Sequence, residues 1–205
     1  MKVLLINGSP HSDGCTFTAL SEVAKTLGEN EIKTEIIQVG HKEYRGCLSC
    51  YNCYKTKECA IDDEVNEIAR KIPEYSGIVI GSPVYYAAPN GTLLSFLDRL
   101  FYRGGCDKTM IVGAAIVSAR RAGCTAAFDV LNKYFTISGM PVVSSQYWNM
   151  VHGSRAEEVF EDLEGLQTMR VLARNMAFLM KSIALGKDTY GLPEKEKRIL
   201  TNFTR

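Results

Sequence analysis

KVLLINGSPHSDGCT, residues Lys2 to Thr16, carries three signals in one stretch. Lys2 to Ile6 is a short apolar run with Val and Ile, and Asn7-Gly8-Ser9-Pro10 is turn chemistry. From Thr16 the apolar positions Phe17, Leu20, Val23, Ala24 and Leu27 recur at helical spacing, with Gly28 as a stop. The order is strand, loop, helix, and it returns twice. Gly77 to Gly81 (GIVIG) reads as a strand buried on both faces of a parallel sheet, followed by a loop over Ser82–Gly91 and a helix over Thr92–Tyr102. Met110 to Val117 is a further apolar strand, with a loop at Ser118–Gly123 and a helix over Thr125–Ile137. Thr34 to Val39 alternates as the second strand. Asp62 is placed to cap a helix through Val65, Ile68, Ala69 and Ile72 that ends at Pro73. Pro141 to Tyr147 is expected to be the fifth strand, and a long helix tolerating Gly165 is expected from about Ala156 to Leu185.

Strands alternating with helices predict an α/β fold, a doubly wound five-stranded parallel sheet with helices on both faces, because right-handed crossovers place them there. Five strands suit the flavodoxin-like order 2-1-3-4-5, with a cysteine-rich insertion, Gly46 to Ala60, after strand 2. In that topology a ligand sits at the carboxyl ends of strands 1, 3 and 4, beside the switch point. Those ends carry the loops SPHSDGCT, SPVYYAAPNG and SARRAG. The chain reads as one domain over residues 1–190 with a tail over 191–205, without internal repeat, linker or low-complexity tract.

At 205 residues, against about 150 per domain, one domain with elaborations is favoured over two. Lys plus Arg exceed Asp plus Glu by 24 − 23 = +1, so no global field draws the chain to nucleic acid or to an anionic membrane. No apolar run approaches the roughly 20 residues of a membrane helix, and Val3 to Ile6 is too short for a signal-peptide core. A cytoplasmic protein is expected. In a reducing compartment, clustered cysteines read as metal ligands or redox groups before disulfides, and an odd total of seven argues against a fully paired framework.

The first loop, Ser9 to Thr16, has hydroxyls at both ends, a glycine at Gly14 and a helix starting at its far end, so backbone N–H groups and a helix N-terminus could hold an anion. It is neither a Walker loop nor a G-x-G-x-x-G fingerprint. A cysteine phosphatase would need an Arg at the loop's end, and no Arg falls between Met1 and Tyr44. A terminal monophosphate held by hydroxyls and amides fits best. The same residues also suit an ordinary strand-to-helix turn in which Ser9 or Ser12 caps the helix.

INGSP…GCT, GSPVYYAAPNG with a helix after it, SARRAG and the cysteine run together resemble the NAD(P)H-dependent FMN reductase and iron-sulfur flavoprotein branch of the flavodoxin-like superfamily, over most of Lys2 to Leu185. The resemblance implies FMN, with Ser9, His11, Ser12, Gly14, Cys15 and Thr16 around its phosphate. Many relatives carry Arg at the His11 position and Asn at the Cys15 position, and losing a fixed cation and an amide should weaken phosphate binding. By the same resemblance Pro83, Val84, Tyr85, Tyr86 and Asn90 line the flavin ring, where relatives often have Trp at the Tyr86 position. Aromatic faces can stack on such a ring and loop amides can tune its potential, with Tyr85 and Tyr86 as surface loop residues the alternative. Ser118, Ala119, Arg120, Arg121 and Gly123 are placed at the mouth of the same cleft, where the two cations could stabilise a reduced flavin or receive the phosphate of NADPH. A solvated Arg pair is the alternative. Tyr147, Trp148, Asn149, His152 and Gly153 follow the fifth strand and could approach the flavin of their own or a second subunit, with a buried structural His152 as the alternative.

Cys47-x2-Cys50-x2-Cys53-x5-Cys59 is the most specific feature. Fe–S clusters need several converging thiolates, and two-residue gaps let a tight loop wrap around a cubane. The run resembles the compact motif of iron-sulfur flavoproteins, in which all four cysteines bind one [4Fe–4S] cluster. A structural Zn²⁺ would also accept four cysteines, though its usual spacing separates two C-x2-C pairs by a longer stretch. Thiols without metal are the third alternative. Cys15, Cys106 and Cys124 have no partners in sequence and read as packing or loop residues.

The reading is an FMN-dependent oxidoreductase that takes electrons from NAD(P)H or a ferredoxin-type donor and passes them to a small acceptor, to a redox protein or through a [4Fe–4S] cluster. Position and potential are the protein's part, so no catalytic side chain is assigned. An electron carrier without its own substrate is the alternative, against which a net charge of +1 weighs mildly. A cysteine-based redox or metal sensor is another. A homodimer or homotetramer is expected from the resemblance.

Overall fold

The protein was studied as a computed structural model, which describes residues 1–102, 107–197, 199, 201 and 203. Cys106 and Arg198 lie outside the described residues. Successive residues of the central strands go to opposite faces, and both faces are apolar. In β1 (Lys2–Asn7), Val3 and Leu5 enter one buried cluster while Leu4 and Ile6 enter the other. β3 (Gly77–Tyr85) divides Val79 from Ile78 and Ile80, and β5 (Val112–Ala119) divides Ala114 and Ile116 from Ala115 and Val117.

A sheet apolar on both faces must be covered on both. α1 (Cys15–Glu29) and α7 (Leu163–Tyr190) cover one side through Leu20, Val23, Leu27, Leu172, Met176 and their neighbours. α3 (Glu64–Lys71), α4 (Gly91–Tyr102) and α5 (Cys124–Ile137) cover the other with Val65, Phe96, Leu97, Leu131 and Phe135. The parallel order is β2 (Lys33–Gln38)-β1-β3-β5-β6 (Met150–His152). A two-residue strand, β4 (Ala88–Pro89), pairs antiparallel with the end of β3. Apart from that extra strand, this is the expected flavodoxin-like order. Two short helices complete the chain: α2 (Asn52–Thr56) inside the cysteine-rich insertion and α6 (Ala156–Val159) after β6. No described helix is long and apolar enough to cross a membrane.

Several boundaries differ from the sequence expectation, each for a local reason. The fifth strand is not Pro141–Tyr147. There the chain makes only an isolated bridge, Val142 with Gly113, before leaving the sheet. It rejoins at Met150, after the buried Asn149 side chain has donated to Ala115 O at 3.0 Å. The long helix from Ala156 is two helices. The break follows Val159, and Asp162 caps the second by accepting from Gly165 N–H at 2.9 Å and from His152 N–H at 2.7 Å. Gly165 therefore sits in a first turn, where a Cβ would lie 2.3 Å from Asp162 Oδ2. Asp63, not Asp62, caps α3, accepting from Val65 N–H at 3.1 Å. β3 runs on to Tyr85, which turns part of the expected Ser82–Gly91 loop into a hairpin, and Ser118 and Ala119 are the end of β5 instead of loop.

The edge strand β2 is tied to β1 by polar contacts. Glu35 accepts from Lys2 Nζ and, at 2.8 Å, from the Tyr75 hydroxyl, while Lys2 Nζ stands 4.9 Å from the Tyr75 ring centre. The Lys2 bond foremost, then the Tyr75 bond, holds the Glu35 carboxyl below its ordinary range. A depressed carboxylate stabilises the fold above its unfolded pKa of about 4.3, and the contribution is lost as pH falls through the folded value. Glu35→Gln is thus expected to remove up to about 1 kcal/mol near pH 7 and nothing at strongly acid pH. Urea midpoints measured across the acid range test this, and a constant offset at every pH would contradict it.

Candidate functional site

The carboxyl ends of β1, β3, β5 and β6 open on one cleft of about 660 Å³, within the range of small-molecule and cofactor sites. From the first loop it is lined by Ser9, His11, Gly14, Cys15 and Thr16, and from the second by Pro83, Val84 and Tyr85. Ser118, Ala119 and Arg120 line it from the end of β5. Asp13 and the segment Gly153–Glu157 complete the wall.

The first loop is shaped by buried polar residues beneath it. Asn7, fully buried at the end of β1, accepts from Ser9 N–H at 3.0 Å and donates to His11 O at 3.3 Å and to Gln38 on β2. Gln38 Nε2 in turn donates to Ser9 O. Ser9 Oγ accepts from His11 N–H at 3.1 Å, which leaves its own hydrogen free to donate into the cleft. The first helical bond of α1 runs from Thr18 N–H to Gly14 O at 3.0 Å, so the amides of Cys15, Thr16 and Phe17 have no acceptor within the helix. No side chain caps α1, so neither Ser9 nor Ser12 has the capping role that an ordinary turn would give it. Thr16 and Ser118 hydroxyls meet at 2.7 Å and join the first loop to the end of β5. Burial pushes the Cys15 thiol up, Glu158 and Glu157 add to the effect, and a backbone hydrogen bond opposes it. Cys15 is therefore a neutral donor near pH 7, and its Sγ lies 3.4 Å from Gly153 O.

Five of the residues singled out from sequence do not line this cleft: Ser12, Tyr86, Asn90, Arg121 and Gly123. Tyr86 and Ala87 form the tip of the β3–β4 hairpin, both with positive φ, 51° and 59°, as a type I′ turn requires. The Tyr86 side chain projects fully into solvent. Asn90 is a buried clasp. Its Nδ2 donates to Gly8 O at 2.7 Å and Gly40 O at 3.3 Å, its Oδ1 accepts from Thr92 N–H, and its N–H goes to Ser82 Oγ. Gly123, at φ 90°, lets the start of α5 approach the hairpin, where a Cβ would lie 2.9 Å from Ala87 Cα. Ser12 and Arg121 are exposed. Tyr147, Trp148 and His152 line a separate surface hollow with Asp162 and Gly165, and Gly153 alone of that segment reaches the cleft.

The insertion brings Cys47, Cys50, Cys53 and Cys59 to the wall of a second, smaller pocket. Three non-glycine residues in it, Ser49, Tyr51 and Lys57, have φ between 51° and 64°, so the loop is tightly curled at a cost of order 1 kcal/mol for each. Among the described residues no three His, Cys, Asp or Glu side chains form a set that could hold one metal ion. The thiols stand around a shared opening without meeting at one point, and all four are free. Cys59 is the anchored member. The buried Asn66 side chain accepts from its N–H at 2.8 Å and donates to its carbonyl at 3.0 Å.

Arg99 from α4 is buried beneath the same pocket, its side chain 1% exposed. All five of its N–H groups find acceptors. Nε donates to Cys59 Sγ at 3.3 Å, Nη1 to Asp63 Oδ2 and Arg45 O, and Nη2 to Asp63 Oδ1 and Ile61 O. Burial opposes the charge, and the bonds to Asp63 and Cys59 more than offset it, so the guanidinium is held charged with a raised pKa. A charged residue in the last turn of a helix reads as solvated in sequence, although Arg99 lies three residues after Phe96, on the flank of the apolar stripe.

The family model for NADPH-dependent FMN reductases matches residues 1–155. The chain belongs to that family. It is similar to an iron-sulfur flavoprotein of Methanocaldococcus jannaschii, with 32% identity covering 89% of this chain and 99% of the relative. It is also similar to an iron-sulfur flavoprotein of Archaeoglobus fulgidus, at 26% identity over 87% of this chain and 96% of the relative. Among solved structures, RosB with a bound riboflavin-5'-phosphate intermediate superposes with a TM-score of 0.70 at 15% identity, covering 100% of this chain and 92% of that one. That likeness shows the fold. Membership of the FMN reductase family places this chain among flavin-dependent oxidoreductases. Residues not nominated from sequence that the cleft nevertheless includes are Asp13, Ser154, Arg155, Ala156 and Glu157. Asp13 was visible inside the first loop. The others follow β6, whose true position the sequence pattern concealed.

Proposed function

We propose that the chain is an FMN-dependent oxidoreductase of the iron-sulfur flavoprotein type, with FMN in the cleft and a [4Fe–4S] cluster on Cys47, Cys50, Cys53 and Cys59. The donor on this reading is NAD(P)H or a ferredoxin-type protein, and the acceptor is a small molecule or a redox protein. The observation that carries it is one fold presenting both an uncapped helix start in a cleft made by the three switch-point loops and a separate pocket walled by four free thiols. When bound, FMN exchanges electrons in pairs or singly and the cluster exchanges them singly.

The chain's own residues would supply binding and electrostatics. The unpaired amides at the start of α1 and the Ser9 hydroxyl hydrogen suit a phosphate monoester. Thr16 and Ser118, bonded to each other, hold the two sides of the cleft at a fixed separation. Pro83, Val84 and Tyr85 give the ring an apolar and aromatic wall, and Arg120 lies at its edge, where it favours added negative charge. The donor set of four thiols without a carboxylate or imidazole on the pocket wall is the chemistry of an iron-sulfur or other soft-metal site. The strain in the curled loop is of the kind a bound group compensates. Exposed Leu48, Tyr51 and Tyr102 line that pocket, Tyr54 packs against the two tyrosine rings, and this apolar patch supports the expectation of a homodimer or homotetramer covering it.

Anaerobic stopped-flow mixing of FMN-loaded protein with NADPH, and separately with NADH, tests the reductase reading. Rapid bleaching of the flavin absorbance with a saturable dependence on the nucleotide is expected. No bleaching by either nucleotide, with reduction by a ferredoxin-type protein alone, would assign the chain to electron carriage.

A further inference from the structure

We infer that Arg99 is a positioning residue that sets the reduction potential of the metal group held by Cys59, its buried guanidinium hydrogen-bonding the Cys59 sulfur while Asp63 holds it in place. The inference rests on the reading of the four cysteines as cluster ligands.

Hydrogen bonds to the sulfurs, net charge and solvent exposure are the levers by which a protein tunes such a group. Arg99 acts on all three. Its Nε is 3.3 Å from Cys59 Sγ, its charge lies in a region from which water is excluded, and its side chain is 1% exposed. Among the described residues, no other thiol of the run receives a charged donor. Cys47 Sγ accepts only the backbone N–H of Ser49, at 3.5 Å. The guanidinium cannot turn away from the sulfur, because Asp63 grips it with two bonds of 2.6 and 2.8 Å and the carbonyls of Arg45 and Ile61 take the remaining donors. Arg45 immediately precedes the insertion, and Cys59, Ile61 and Asp63 lie at and just after its end, so one side chain ties the two ends of the loop together and places a charge at its last cysteine. Simple loop bracing would not require an N–H aimed at sulfur.

Reduction adds one electron, supplied by an external reductant, and breaks no bond. The metal-thiolate group becomes more negative by one charge, and Arg99, already protonated, neutralises part of it without a proton moving. Asp63 acts in the opposite sense, as the counter-charge that moderates Arg99. The two residues are coupled in structure and opposed in sign.

Anaerobic potentiometric titration with dithionite, followed by electron paramagnetic resonance and absorbance, on wild type, Arg99→Met, Arg99→Lys and Asp63→Asn tests this. Iron and acid-labile sulfide are measured on each sample. Arg99→Met is expected to disfavour the reduced state at least tenfold, about 59 mV to more negative potential for a one-electron couple. Asp63→Asn, which keeps a side-chain oxygen to cap α3, is expected to shift the potential the other way, and Arg99→Lys to fall between Arg99→Met and wild type. If Arg99→Met binds no iron, Arg99→Lys falling below and Asp63→Asn rising above wild type still carries the inference. Shifts of the same sign in the Arg99 and Asp63 variants, or none in any iron-loaded variant, would overturn it. A wild type without iron or sulfide would remove the cluster reading and this inference together, whereas a loaded wild type with unmoved variants would remove this inference alone.

Discussion

Arg99→Ala is expected to lower folding stability by about 3–5 kcal/mol, the cost of breaking a buried ion pair from one side. The truncation strips Asp63 of both guanidinium bonds, deprives the carbonyls of Arg45 and Ile61 of a donor, and leaves a cavity where the buried side chain stood. Asp63 still caps α3, so the helix persists while the insertion loses its anchor. Urea denaturation followed by circular dichroism should show the midpoint falling, and limited proteolysis should cut first between Arg45 and Asp63. A loss below about 1 kcal/mol would mean that the Arg99 network contributes no more than an exposed pair does.

Gly40→Ala is expected to distort the first loop of the cleft. A Cβ at Gly40 would lie 2.2 Å from Gly8 O and 2.3 Å from Ser9 C and O, so backbone and not a flexible side chain would have to move. Overpacking of this kind costs about 1–3 kcal/mol. Here the displaced atoms belong to the stretch that Asn7, Gln38 and Asn90 hold in register. FMN affinity is therefore expected to fall at least tenfold, about 1.4 kcal/mol. Gly186→Ala is the control. It lies within α7 with nothing within 4 Å of its added Cβ, and it should leave FMN binding unchanged while stabilising the helix slightly. Fluorescence titration of apoprotein with FMN measures both. Equal affinity in wild type and Gly40→Ala would separate the β2 loop from the binding site.

The parts of the molecule that were legible in sequence are those where one physical signal dominates. Leu4 to Ile6, Ile78 to Ile80 and Val112 to Val117 are apolar on both faces because they are central strands. Eleven of the sixteen residues nominated for the cofactor site line the one cleft, because loops at the switch point are brought together by topology alone. Four cysteines spaced as Cys47, Cys50, Cys53 and Cys59 were bound to face a common space.

What stayed hidden depends on long-range contact. β6 is three residues long, and its apolar content, Met150 and Val151, is weaker than that of Pro141–Val143, which lies outside the regular ladder. The break at Phe160–Asp162 contains neither proline nor glycine, and Asp162, which caps the second helix, also takes the N–H of His152, ten residues earlier in the chain. Asn90 looks like a ring-contacting loop residue, yet its amide is spent on Gly8 and Gly40, which are distant in sequence. Arg99 is the largest omission. A buried, fully bonded guanidinium differs from a solvated one only in its partners, and those lie from 36 to 54 residues away.

The most direct measurement is an absorption spectrum with iron, acid-labile sulfide and flavin assays on protein purified without oxygen. Flavin bands over a broad iron-sulfur shoulder, with about four irons and four sulfides for each chain, are the predicted result. Flavin bands without iron would contradict the cluster on Cys47, Cys50, Cys53 and Cys59, and the absence of both signals after incubation with FMN, iron and sulfide would contradict the account as a whole.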